Sequence, residues 1–208
     1  FSATGQSVYE EGLQIPVMKL YESGRRNETL FRIIADNVRS PDLVLGDLMA
    51  QVSANQVAGE RLLSVMTDHR LDDLTRLADE ITGRTEIMMR DAIAKVPDGV
   101  YRDSVQLDGF GAPLTIAVAL TIDGDEIMVD FDGTSPQIDM GVNCVLNYTK
   151  AFVYYAVKCA LSPEAPNNDG SLRPIRVVAP SSSILNATYP APVGARHLVG
   201  LFVPFAIF

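Results

Sequence analysis

The chain has 208 residues, 47% of them hydrophobic, which is enough to build the core of one large domain or two small ones. Its 17 Lys and Arg stand against 26 acids, a formal net charge of −9, and with no cluster of bases to release phosphate counterions a nucleic-acid partner is excluded. No apolar run reaches the ~18 residues of a membrane span, so a soluble protein without membrane contact is expected.

Residues 1–39 are read as an extended segment, biased away from helix at Ile15 by Pro16, followed by a short helix over 28–38. Ser40 and Pro41 supply an N-cap and a first helical residue for a long helix. Its stripe of Leu45, Leu48, Met49, Val52, Leu62, Leu63 and Met66 is interrupted by Ser53, Asn55, Gln56 and Gly59, which either line a cleft or face water. Beyond the charged turn at 68–73, Leu71, Leu74, Ala78, Ile81, Thr85, Met88 and Ala92 recur at steps of three and four, a coiled-coil-like seam ending at Pro97. The two helices are expected to form an antiparallel hairpin about 40 Å long over 40–97 and to offer a contact surface to another copy or to further parts of the chain.

From residue 98 the hydrophobic period changes to 2. Leu114, Ile116, Val118, Leu120 and Ile122 share one face, and Asp123-Gly124 turns the chain into a strand at 126–131, giving a three-stranded antiparallel meander. A helix over 144–161 is apolar nearly all round and is expected to be buried, with Asn143 as its N-cap. Short strands near 175–178 and 183–186 complete the sheet. The fold class is α+β in three parts: an extended segment with a short helix (1–39), the helical hairpin (40–97) and a sheet domain (98–208), incomplete at its C-terminus. The start at Phe1 and the apolar end at 198–208 are read as marks of a piece of a longer polypeptide, or of a last segment that docks on a partner.

The richest stretch for chemistry is 130–147, where carboxylates, turn residues and amides meet at a strand-to-helix junction. Between Arg102 and Lys150 lie eight acids and no Lys or Arg. Most are ordinary turn residues, but Asp130 and Asp132 are expected to leave one strand face together, and Asp132 is a candidate catalytic carboxylate. Asn147 and Asn168 are candidate substrate contacts, because an amide offers a planar ligand a paired donor and acceptor; local capping is the competing reading. Arg196 presents a fork suited to a carboxylate or phosphate, with a structural salt bridge equally open. Asp132 and Asn147 are expected near Asn168 or Arg196 around one polar cleft. His69 is read as solvated, His197 as an outside candidate beside Arg196. Cys144 and Cys159, placed on one helix 15 residues and about 22 Å apart, are too distant for a disulfide and are read as free thiols of a reducing compartment, with Cys159 buried and inert. There is no Walker loop, no Gly-x-Ser-x-Gly, no Cys-x-x-Cys and no His-Glu-x-x-His.

Several long blocks, Tyr9–Pro16, Lys19-Leu20, Asn27–Ile34, Asp47–Gln56, Asp130–Gln137, Asn167–Ser171 and Tyr189–Arg196, together resemble the hydantoinase B/oxoprolinase family across essentially the whole chain, which is similar to the middle of its longer members. The resemblance implies part of the B subunit of a cytoplasmic, ATP-dependent hydrolase of cyclic amides, such as an N-methylhydantoin or 5-oxoproline. A hydantoinase A-type subunit would use ATP and Mg to phosphorylate the amide oxygen. A divalent metal in the full-length B subunit would activate water; its His and Asp ligands lie upstream of the block holding Glu10-Glu11-Gly12-Leu13, so no metal ligand is carried over to this chain. Glu11, just after that region, is placed as a base or as an outer group of the site. A homo- or hetero-oligomer is expected, and the chain by itself is expected to be inactive. The alternatives are a subunit of a related acetone- or acetophenone-type carboxylase and a non-catalytic interaction module.

Overall fold

The computed structural model describes residues 2–208 and divides into two compact units, one combining the N-terminal segment through Gly12 with Leu77–Phe208, the other Leu13–Arg76. In the smaller unit, β1 (Tyr21–Glu22) and β2 (Arg25–Arg26) pair across a turn in which Ser23 and Gly24 take φ of 49° and 77°. Helix α1 (Glu28–Asn37) is capped by Asn27, whose Oδ1 accepts from the Leu30 N–H at 3.2 Å, and buries Leu30, Phe31 and Ile34. Helix α2 (Pro41–Asp68) starts at its proline as expected, although Ser40 makes no side-chain cap. It buries no residue: Ser53, Asn55, Gln56 and Gly59 are exposed, and so are Leu43, Leu62 and Leu63.

Helix α3 (Thr75–Ile93) runs into the larger unit and buries Thr85, Met89, Ala92 and Ile93. Its buried stripe is therefore displaced from the anticipated seam, leaving Ile81 and Met88 exposed, because Met89 and Ile93 insert into the core of the sheet. That sheet has the order β3 (Gly99–Leu107), β4 (Leu114–Asp123), β5 (Glu126–Asp130) and β6 (Ile175–Val178). The first three strands are antiparallel, and Leu114, Ile116, Val118 and Ile122 of β4 are buried as their alternation requires. Strand β6 joins β5 in parallel, Val129 opposite Val177, so the chain crosses over between them through α4 (Leu146–Leu161).

Three expectations are corrected. Residues 183–186 form no strand; the Ser182 N–H bonds the Asn186 carbonyl at 3.0 Å, closing a tight turn that drives Ile184 and Leu185 into the core. Helix α4 begins at Leu146 behind Val145, so Asn143 does not cap it and Cys144 lies outside it. Nor is α4 buried all round: Thr149, Val153, Ala156 and Val157 face the core while Tyr155 and Cys159 are exposed, because only one stripe of the helix meets the sheet. The apolar end folds as α5 (His197–Gly200) and α6 (Val203–Ile207), which bury Val199, Val203 and Ala206 and leave Leu201, Phe205 and Phe208 exposed.

Candidate functional site

The loop 189–196 is tied down from four directions, all within the larger unit. The Val8 N–H bonds the Pro190 carbonyl at 3.0 Å and the Ala195 N–H bonds the Gly141 carbonyl at 2.6 Å. The fully buried Asn143 amide donates to the Pro192 carbonyl at 2.9 Å while also bonding Ile138 and Met140. Asn143, expected as a helix cap, is thus a clamp between two loops, a role its neighbours in sequence do not announce. Glu11 closes the set: its Oε1 accepts from the N–H groups of Val193 and Gly194 at 2.6 and 2.5 Å. Two donors on one carboxylate oxygen are charge-assisted and strong. They also need space, since a Cβ on Gly194 would sit 3.0 Å from that oxygen.

Beside this carboxylate stands Arg196. Ser2, Thr4, Gly5, Glu10, Glu11, Gly194 and Arg196 line a cleft of about 660 Å³, and a neighbouring cleft of about 370 Å³ is lined by Tyr148, Gly194, Arg196 and His197. The guanidinium lies 5.1 Å from the centroid of the Tyr148 ring, and one of its nitrogens donates to the Val193 carbonyl at 3.2 Å. The ring reaches that position because residue 200 is glycine: a Cβ there would meet Tyr148 Cε1 at 2.4 Å. Below the loop, burial pushes the Cys144 thiol up to about 12 despite the Arg196 charge, and its Sγ donates weakly to the Arg196 carbonyl at 3.4 Å. Such a thiol is a packing group rather than a nucleophile. Sequence reasoning misses Tyr148, which reads as one more apolar residue of a helix; the available signal is Gly200, four residues past Arg196.

The structure thus brings Arg196 together with Glu11. Asn168 lines a separate cleft of about 510 Å³ with Tyr154, Tyr155, Lys158 and Cys159. Its amide is engaged within the fold, accepting from the Gly170 N–H two residues on and donating to Thr85 Oγ1 on α3, both at 2.9 Å. Asn147 is exposed in the first turn of α4. Strand β5 ends at Asp130, so Asp132 lies in the following turn rather than on a strand face; it is exposed and donates its N–H to Asp130 Oδ1 at 3.0 Å. That turn is strapped to β4 by Thr134 Oγ1, bonded to the Ala117 N–H and carbonyl at 3.1 Å each, and by Ser135 Oγ, which accepts from the Thr115 N–H at 2.8 Å. His69 is exposed at the end of α2, and His197 at the rim of the smaller Arg196 cleft.

An ionic network supports the same unit. Glu86 on α3 pairs with Arg173 at 3.1 Å and Arg90 at 2.9 Å, and these hydrogen bonds, that to Arg173 first, hold its carboxyl below the ordinary range. Arg90 also reaches Asp125 in the β4–β5 turn and Glu126 at the start of β5, which gives two of the acids from the base-free segment a structural partner. Among the described residues no three His, Cys, Asp or Glu side chains gather as a metal site requires, so the residues present do not fit a metal centre of their own.

Comparison with known proteins gives the chain a family. The chain is 36% identical over 206 residues to a protein of Pseudomonas sp. (strain NS671) provisionally assigned as the B component of a D-/L-hydantoinase, covering 92% of this chain and 35% of that one. It is 29% identical to the beta chain of the caprolactamase of Pseudomonas jessenii, covering 92% of this chain and 34% of that one. The crystal structure of the ATP-dependent caprolactamase from the same species superposes with a TM-score of 0.87 at 28% identity, over 99% of this chain and 37% of that one. A nucleotide-free acetone carboxylase shares the fold, with a TM-score of 0.82 at 16% identity, over 93% of this chain and 28% of that one. The chain therefore spans about a third of the length of these first relatives. The hydantoinase B/oxoprolinase family matches residues 1–208, and the chain belongs to it.

Proposed function

We propose that this chain forms part of the B subunit of an ATP-dependent cyclic-amide hydrolase of the hydantoinase or 5-oxoprolinase type, opening a lactam or hydantoin ring activated by an ATP-using A-type subunit. The observation that carries the reading is the Glu11–Arg196 cleft: two segments from the blocks on which the family resemblance rests, 182 residues apart, are joined by two charge-assisted bonds around a polar cavity. An amide carbonyl resists attack by water, and phosphorylation of its oxygen supplies a leaving group. ATP and Mg belong to the partner subunit in this reading. A divalent metal, where the full-length B subunit holds one, would supply activated water. Within this chain, Glu11 fixes the loop that carries Arg196, and Arg196 meets the substrate. Asp132, exposed on its strapped turn, is the proposed carboxylate for proton transfer, and Asn147 and Asn168 are proposed amide contacts.

The carboxylase alternative rests on shared fold alone, whereas the relatives in sequence bear the names of amide hydrolases. The test is to co-purify the full-length polypeptide with its ATP-using partner and follow ring opening of hydantoin, 5-oxoproline and caprolactam. Turnover that requires both ATP and the partner is expected. Bicarbonate-dependent consumption of acetone, or failure on every cyclic amide, would overturn the reading.

A further inference from the structure

Arg196 has an unusual balance of restraint and freedom. Its backbone is held by the clamped loop, its guanidinium is oriented over Tyr148 and anchored to the Val193 carbonyl, and it is half-buried. Yet no carboxylate lies within salt-bridge distance of it among the described residues. Of the two carboxylates that line the same cleft, Glu11 is already taken by two backbone N–H groups, and Glu10 accepts from the Gln6 N–H at 3.4 Å. An arginine carries five donors, and among the described residues one of them is used, on the Val193 carbonyl. A half-buried, oriented cation with no carboxylate in ion-pair contact costs free energy that an anionic ligand recovers, and the planar fork matches two oxygens of a carboxylate or phosphoryl group. Arg196 lines both clefts.

We propose that Arg196, oriented by Tyr148 and admitted by Gly200, is the oxyanion-recognition residue of the cleft and binds a phosphoryl or carboxylate group of the substrate. This deepens the reading above and rests on it for the substrate class. Two sources share the chemistry: the phosphoryl group placed on the amide oxygen, and a carboxylate carried by the cyclic amide itself.

The test uses the full-length protein and its Arg196→Gln and Arg196→Lys variants. Calorimetric titration with inorganic phosphate probes the first source; the ratio of affinities for 5-oxoproline and for the neutral 2-pyrrolidinone probes the second. Arg196→Gln is expected to weaken the relevant binding about 10- to 100-fold, the scale of one charged hydrogen-bonded contact, and Arg196→Lys to restore part of it. Loss confined to phosphate assigns the phosphoryl source, and loss confined to the 5-oxoproline preference assigns the carboxylate. Unchanged binding of both overturns the proposal. Phenylglyoxal labelling of the wild-type protein, mapped by peptide mass, guards against a variant that fails to fold: an oxyanion that binds here shields Arg196, and equal labelling with and without phosphate and 5-oxoproline overturns the proposal. These binding readouts need neither ATP nor turnover, so a protein that hydrolyses no cyclic amide but loses phosphate binding in Arg196→Gln defeats the functional reading while the site stands.

Discussion

A carboxylate oxygen that takes two backbone N–H groups leaves both without a partner when its side chain is truncated. Glu11→Ala is therefore expected to destabilise the larger unit by about 1–3 kcal/mol, seen as a lower urea midpoint at unchanged slope. Glu11→Gln, which keeps an acceptor but not its charge, should fall between; equal midpoints for all three proteins would show that the 193–194 loop is held without it. The two cysteines differ as strongly. With its thiol pushed up to about 12 by burial, Cys144 should resist iodoacetamide at pH 8 in the folded protein, while the exposed Cys159 reacts. Mass mapping of the alkylated peptides decides this, and rapid labelling of Cys144 would mean that its pocket opens.

At the scale of elements, α3 is held to the 169–173 turn by contact and by charge. A Cβ on Gly170 would lie 1.9 Å from the Thr82 carbonyl oxygen, an overlap no rotamer relieves because the backbone fixes the position of both atoms. Gly170→Ala is expected to cost about 1–3 kcal/mol, the range for overpacking, measured as a fall in melting temperature. The ionic part depends on pH. Glu86 has a lowered carboxyl pKa in the folded state, so its contribution is fully present above the ordinary carboxylate range and disappears as pH falls through the lowered value. Glu86→Gln should therefore melt below the wild type at pH 7, with the two converging in acid. A gap that persists or widens toward pH 3 would assign the effect to packing rather than to the pairs with Arg173 and Arg90.

Over the whole molecule, burial is uneven. Strands β4 and β5 hold Ile116, Ile122, Ile127 and Val129 at 3% exposure or less, whereas the 28 residues of α2 include none that is buried. Amides of α2 are therefore expected to exchange with deuterium well before those of β4 and β5 in the isolated chain. Slow exchange in both would mean that another surface covers α2, and the same measurement on the full-length polypeptide with and without the proposed A-type partner would show whether that partner does so.

Local chemistry was enough to write down much of this fold. Alternation in 114–122, the Asp123-Gly124 turn and Pro41 at the start of α2 each act through a few neighbouring residues, and each is where the sequence puts it. The family, too, was legible, because its blocks are long runs of residue identity along the chain. Burial of particular helix faces was not, since periodicity says that a helix has an apolar side without saying how much of it a neighbour covers; α2, α3 and α4 all differ from expectation for that reason. The candidate site was legible only in pieces. Glu11 and Arg196 stood out one at a time, but their approach, the Asn143 clamp and the Tyr148 platform depend on contacts between segments separated by as many as 183 residues. Long-range contacts of this kind are decided by packing in three dimensions, where a missing Cβ at Gly194 or Gly200 matters as much as the charged side chains it lets in.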